Sequence, residues 1–400
     1  MRTVTILFIA ICFMGMNLLV PSGAAALELS GYAGLEGRFF FHEAMFEEQE
    51  KDNGSAVLEP ELYHEFLSGH SFTFVPFYRC DSADSRRSHF DIRELNYLWL
   101  ADDWELRVGV GKVFWGKTEF VHLVDIINQT DLIEHIDEED KLGQPMVHLS
   151  VPRDWGALDM FVLPWFRERT FPGQKGRLRT GLKIDTEHAR YESGAEEHHV
   201  DFAVRYSHTI DGWDFGIYNF TGTSREPTLL SDTNKNGRPI LVPYYEQINQ
   251  TGIDAQLVTG DWLWKLEGLY RTGQEEDFFA GVGGFEYTFV NIGESRMDLG
   301  VIGEYAYDER GEEATTVYDN DAMFGIRLMV NDAPGTELLA GLIQDLGSSA
   351  RGVKLEASRR FGSNWRLTLE AWAFFDLPEE DLYHSIQDDD FIRLQLAYYF

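Results

Sequence analysis

The run Phe391-Ile392-Arg393-Leu394-Gln395-Leu396-Ala397-Tyr398-Tyr399-Phe400 constrains the fold more than any other part of the chain. Ile392, Leu394, Leu396, Tyr398 and Phe400 fall on one face of an extended strand, and Arg393, Gln395, Ala397 and Tyr399 on the other, a period of two. One face suits lipid, the other water. Beyond the apolar run Val4 to Val20 no long apolar segment follows. Placed in a membrane, such a chain has to cross it as the strands of a closed barrel, because only helices and closed barrels satisfy their backbone groups in hydrocarbon.

The other end of the chain supplies a destination. Arg2, the run Val4 to Val20 and then Pro21-Ser22-Gly23-Ala24-Ala25-Ala26 read as a secretory leader spanning 1–26, with cleavage expected after Ala26. An uncleaved helix fits less well, because the apolar stretch is short and flanked by small residues. Cys12 lies inside that run, which leaves Cys80 alone in 27–400 and rules out an intramolecular disulfide there. A final strand closing on Phe400 also resembles the signal by which Gram-negative barrels are handed to the barrel-assembly machinery. The resemblance implies the outer membrane of a Gram-negative bacterium, with outer-membrane lipid and lipopolysaccharide as surroundings.

The chain carries 34 basic and 67 acidic side chains, a formal charge of -33, which argues against nucleic acid as a partner. With 14% aromatic residues and 37 glycines the composition is not that of a disordered polyanion. It fits aromatic girdles and long acidic outer loops on a barrel.

Period-two segments follow one another through 27–400 with no linker, so one domain is expected. Trp365, Leu367, Leu369, Ala371 and Ala373 alternate with Arg366, Thr368, Glu370 and Trp372; Val353, Leu355 and Ala357 alternate with Lys354, Glu356 and Ser358. Short connections, such as Leu67 to His70 and Ile210 to Gly212, mostly alternate with long polar ones at 43–56, 114–144, 167–197, 223–249, 309–320 and 376–389. This is the loop asymmetry of a bacterial barrel. The expected fold is all-β: a transmembrane antiparallel β-barrel of about 18 strands, with 16 as the alternative, from a first strand at Leu27 to Phe41 to a last at Asp390 to Phe400. The strand Thr336 to Leu346 is partly apolar on both faces, and Pro239 to Gln250 is assigned to a loop.

A barrel of this size leaves an aqueous lumen. Its inward rows are read as pore-lining: Arg107, Arg205, Arg271, Arg327, Arg360, Arg366, Arg393, Lys265 and Lys354, interleaved with Glu105, Asp201, Glu267, Asp298, Glu304, Glu356 and Glu370. Two readings stand, mutually neutralising ladders that hold the wall or an arginine row that steers solute. The connection 113–144 is too apolar for a solvated loop, with Val121, Leu123, Val124, Ile126, Ile127, Leu132, Ile133 and Ile136 among its polar residues. It is expected to fold into the lumen as a constriction with short helical turns, or alternatively to lie across the mouth as a lid. Lys112, Trp115, Lys117, Glu119, Asp125, Asp131 and Glu134 are its candidate functional residues.

Gly109-Val110-Gly111-Lys112-Val113-Phe114-Trp115-Gly116, followed by Asp125-Ile126-Ile127-Asn128-Gln129-Thr130-Asp131 and the strand pair Met146 to Val151 and Ala157 to Trp165, resembles a group of largely uncharacterised porin-like outer-membrane proteins. The likeness covers roughly 104–165. Gln129 stands where those proteins often carry Pro, which alters the expected turn. What the resemblance implies is a channel for a small-molecule solute. Strand count and lumen arginines also give a looser likeness to polysaccharide-export barrels.

Other chemistry is sparse. Asp232, Asn234 and Asn236 before Gly237 match the first half of a calcium loop, but Pro243 stands where the closing Glu belongs, and a plain Asn-Gly turn is the competing reading. His198 and His199 are adjacent and so point to opposite faces of a strand, a poor chelate. No Gly-x-Ser-x-Gly occurs. No cofactor is expected apart from that calcium. The expectation is therefore a non-enzymatic channel for passive diffusion of polar or charged small solutes. A sealed structural or adhesive barrel, an export barrel and an outer-membrane hydrolase are the alternatives.

Overall fold

The computed structural model describes residues 27–400 apart from 275, 317, 380 and 382; the leader assigned to 1–26 lies outside the described residues. Eighteen antiparallel strands close on themselves, each paired with its neighbours in the chain and the first, Glu28–Phe40, paired with the last, Phe391–Tyr399. In order they are Glu28–Phe40, Asn53–Leu67, His70–Asp81, His89–Leu100, Glu105–Gly111, Gln144–Arg153, Gly156–Leu163, Asp201–Ile210, Trp213–Thr223, Gln247–Thr259, Trp262–Thr272, Phe278–Phe289, Asp298–Asp308, Asn320–Met329, Glu337–Asp345, Arg351–Phe361, Trp365–Phe375 and Phe391–Tyr399. Closure leaves no edge strand, so each strand of the wall has a ladder on both sides, interrupted locally at the register shifts between Glu65 and Leu67 and between Val75 and Pro76.

The alternation sorts side chains as expected. Leu35, Phe90, Val204, Ile217, Ile253, Leu266, Phe324 and Leu396 are exposed on the outer wall, where water would penalise them and hydrocarbon does not. Near the short turns this wall carries paired aromatics: Trp262 and Tyr287 lie 4.7 Å apart, Trp365 and Tyr398 5.0 Å, Trp99 and Trp104 4.8 Å. Such rings form the interfacial girdle of a membrane barrel. At one of these turns Asp211 and Gly212 both have positive φ, 49° and 86°, as a two-residue type I′ hairpin requires.

The strand Thr336 to Leu346 is present as Glu337–Asp345. The region Pro239 to Gln250 needs correcting, because only residue 246 connects two strands there. Pro239–Tyr245 pairs antiparallel with Thr228–Thr233 and parallel with Arg190–Tyr191 in a small sheet among the outer loops, and the barrel resumes at Gln247. Leu241 packs there with Phe171, Ile184, Leu132 and Leu229. These apolar partners come from three different connections, so no local pattern marks the strand.

Candidate functional site: the loop inside the barrel

The connection between Glu105–Gly111 and Gln144–Arg153 folds into the lumen and reaches the far wall. It contains no helix; of the short helical turns expected around Leu123 to Ile127 there is a single hydrogen-bonded turn, Asp125 N–H to the His122 carbonyl at 3.4 Å. An irregular backbone at membrane depth survives only where other groups take up its N–H and C=O. Here wall carboxylates do so. Glu267 accepts hydrogen bonds from the backbone N–H of Lys117 (2.5 Å), Thr118 (2.9 Å) and Val124 (3.3 Å). Glu304 accepts those of Glu119 (2.8 Å) and Phe120 (3.1 Å). Both were expected to be lumen charges; both hold the loop instead.

The tip ends in a notch. Phe120 lies over Gly325 and Gly341, and a β-carbon built on Gly341 would come 2.5 Å from its ring, one on Gly325 3.1 Å. Gly341→Val is therefore expected to unseat Phe120 and make single-channel current noisier, while heat-resistant migration of the folded barrel persists. Unchanged traces would show that the notch does not hold the tip.

The segment Asp125 to Asp131 acts as a set of staples. Asp125 Oδ1 accepts from the N–H groups of Trp115 (2.5 Å) and Gly116 (3.0 Å). Ile126 and Ile127 pack with Trp115, Met146, Phe161, Leu163, Tyr218 and Phe220. Asn128 closes the neck: its Oδ1 accepts from Val113 N–H, and its Nδ2 donates to the carbonyls of Gly111 and Leu142, each at 2.8 Å. Gln129 Oε1 accepts from Thr130 N–H at 3.0 Å. Asp131, wholly buried, meets Arg93 at 2.7 Å and accepts from the Thr170 hydroxyl at 2.7 Å. The Trp-Gly and Asp-Ile-Ile-Asn motifs thus fix the shape of the loop.

Among the candidate constriction residues, Trp115, Asp131 and Glu134 are buried anchors and not water-facing groups. Trp115 packs 4.8 Å from the Tyr218 ring, with the Arg205 guanidinium 5.3 Å from its own. Glu134 meets Arg79 at 2.5 Å. Burial pushes the Glu134 carboxyl up, but Arg79 and Arg87 outweigh it and hold the group down at about 2. Lys112 is half-buried, and desolvation lowers its pKa although Glu59 pulls the other way. Lys117 and Glu119 keep partial exposure. Lys117 Nζ is 2.8 Å from Asp214, and Glu119 lies 2.5 Å from Arg327 and 3.4 Å from Lys265.

The pore-lining candidates all occupy barrel strands, and most meet a carboxylate. Arg107 pairs with Glu105 (2.8 Å), Arg205 with Asp254 (2.7 Å), Arg271 with Glu226 (2.9 Å), Arg366 with Glu337 (2.9 Å), and Arg393 with Glu36 and Glu370 (2.9 Å each). Arg327 also reaches Glu286 at 3.2 Å, and Lys354 reaches Glu356 at 2.7 Å. Arg360 is exposed near the turn that follows its strand. This is the neutralising arrangement and leaves little unopposed field for steering.

A second layer of connections covers the loop from outside. Arg177 Nε donates to Asp389 at 2.6 Å, and Asp389 accepts Leu178 N–H at 2.6 Å. The outer loops are not uniformly acidic: 167–183 holds Arg167, Arg169, Lys175, Arg177, Arg179 and Lys183 against Glu168 alone. Arg169, Arg177 and Arg179 are buried, the last stacked 4.3 Å from Phe46. The calcium-loop residues serve a hairpin turn. Asn234 Oδ1 accepts from Asn236 and Arg238 N–H at 2.9 and 3.0 Å, and Asp232 pairs with Arg190.

No family model matches this chain, and no curated protein does. Among solved structures it is similar to a BenF-like porin from Pseudomonas fluorescens Pf-5, with a TM-score of 0.51 at 10% identity over 93% of this chain and 98% of that one. A variant of Rh. blastica porin gives 0.45 at 12% identity over 94% and 100%. The in-vitro folded OmpT of Vibrio cholerae, in its trimer form, gives 0.46 at 8% over 94% and 100%. The likeness to the first is one of fold.

Proposed function

We propose that this protein is a porin-like channel of the outer membrane through which small polar or charged solutes diffuse passively, limited by the loop that crosses the lumen. The observation that carries the reading is a closed 18-strand barrel whose lumen is crossed by a loop tied to the far wall through Glu267 and Glu304. Part-exposed pairs, Lys117 with Asp214 and Glu119 with Arg327 and Lys265, give the remaining passage local fields of both signs. Small zwitterions and neutral polar solutes suit such a passage better than strongly charged ions.

One observation favours a second reading, a barrel sealed until the loop moves: the loop touches wall residues on nearly every side, from Arg79 and Arg93 to Glu267, Glu304, Lys354 and Glu370. Planar-bilayer conductance of refolded 27–400, beside a variant lacking 115–140, separates the two. Steady steps that enlarge on deletion support the constricted channel. Current only after deletion supports the sealed barrel. Silence from both, with insertion demonstrated, overturns the channel.

A further inference from the structure

The returning arm of the loop brings His135, Asp137 and Glu139 against the paired strands Arg351–Phe361 and Trp365–Phe375. On these strands Glu356 and Glu370 are direct cross-strand partners, and both meet the loop side of the wall. Like charges placed opposite one another destabilise a sheet unless a cation offsets them. The ligand atoms of His135, Asp137 and Glu370 all lie within 4.8 Å of one another, as do those of Asp137, Glu139 and Glu356. Asp137 belongs to both sets.

The imidazole is the independent sign. The His135 side chain is 2% exposed, with Nδ1 2.9 Å from Asp137 Oδ2. Its Nε2 abuts Glu370 Oε1, so the buried ring is held between two carboxylates, as either a metal-ligating imidazole or an imidazolium would be. Neighbouring donors hold the carboxylates in place. Trp372 Nε1 donates to Glu370 Oε1 and Arg393 Nη1 to Oε2, each at 2.9 Å; Lys354 Nζ lies 2.7 Å from Glu356 and 3.6 Å from Glu139. Outer partners that orient carboxylate ligands in this way are typical around metal ions.

We propose that His135, Asp137 and Glu370, with Glu139 and Glu356 at the edge of the cluster, hold a divalent transition-metal ion that ties the inner loop to the barrel wall. One imidazole nitrogen with carboxylate oxygens suits zinc or manganese; an all-oxygen set would suit calcium or magnesium. The ion would bridge a connection and a strand more than two hundred residues apart in sequence, from His135 to Glu370. It would join the hydrogen bonds of Glu267 and Glu304 in deciding how far the loop moves.

The rival occupant is a proton alone, an imidazolium between the two carboxylates. Calorimetric titration of the refolded, chelator-stripped 27–400 chain with zinc chloride decides between them without any measurement of current, so its outcome is independent of the channel reading. Asp185, Glu187 and His188 form an exposed set of similar spacing, and the titration is therefore run in a His188→Ala background. The expected result is one zinc per chain at micromolar affinity or tighter, weakened at least ~10-fold by His135→Gln and by Asp137→Asn. X-ray absorption at the zinc edge of the bound form should give nitrogen and oxygen ligands, a readout that stands even if a variant fails to fold. No stoichiometric zinc in the His188→Ala protein, or binding unaltered by Asp137→Asn in a folded barrel, overturns the site.

Discussion

Replacing Glu267 with alanine is expected to release the tip of the inner loop and raise single-channel conductance several-fold while the barrel stays closed. The carboxylate is fully buried and accepts three backbone N–H groups of the loop, with the Thr118 hydroxyl 2.7 Å from Oε1. A hydrogen bond to a charged acceptor contributes about 1.5–3 kcal/mol, and a buried donor left without a partner costs about 1–3 kcal/mol. The loop has no regular structure to fall back on, so these terms fall on the bound tip. The ladder is spared, because Glu267 pairs through its backbone with Asp254 and Val282 on the adjacent strands. Lys117 would become accessible, and limited trypsin should cut after it in the variant but not in the parent. Equal conductance and equal resistance to trypsin would show that Glu267 does not hold the loop.

The second large effect is on stability. Arg79 is almost wholly buried and donates from Nε to both oxygens of Glu134 at 2.9 Å, from Nη1 to Ser55 at 2.8 Å and to Glu36 at 3.2 Å. Arg79→Ala leaves Glu134 facing the cavity without its forked partner. Breaking one side of a buried pair costs roughly 3–5 kcal/mol, whereas exchanging both partners for apolar residues can be neutral. The midpoint of urea unfolding should therefore fall sharply in Arg79→Ala and much less in Arg79→Met combined with Glu134→Leu. Equal losses in the two would mean that the pair is not the source.

Acid probes the same contact. The folded pKa of Glu134 is depressed from the ordinary 4.5 to about 2. Its contribution is therefore fully present above 4.5 and fades as pH falls toward 2. Current fluctuations from the returning arm should grow over that window in the parent. They should grow markedly less over it in Glu134→Gln, where only the remaining carboxylate contacts respond.

How much of this was legible depends on the distance over which each signal acts. The wall strands could be read because the contrast between lipid and water imposes a period of two on every strand separately, so Arg351–Phe361 and Trp365–Phe375 were recognisable from their own residues. That the long connection after Lys112 belongs inside was legible from its apolar content. The roles of its polar residues were not. Asp125, Asp131 and Glu134 looked like water-facing charges, and Glu267 and Glu304 like members of a lumen row. A carboxylate in a sequence carries no mark of whether its partner will be water, an arginine 55 residues away, as for Glu134, or an N–H 150 residues away, as for Glu267. The small sheet around Pro239–Tyr245 was missed for a related reason, since its apolar partners arrive from separate loops.

By itself, then, the sequence determined a closed antiparallel barrel of about 18 strands with one long connection directed inward, because burial in lipid acts residue by residue along each strand. The tertiary structure alone decided which charges became staples, where Phe120 found its glycine notch, and that His135 would meet Glu370. Those outcomes depend on closing the barrel, which brings together groups that no local pattern connects.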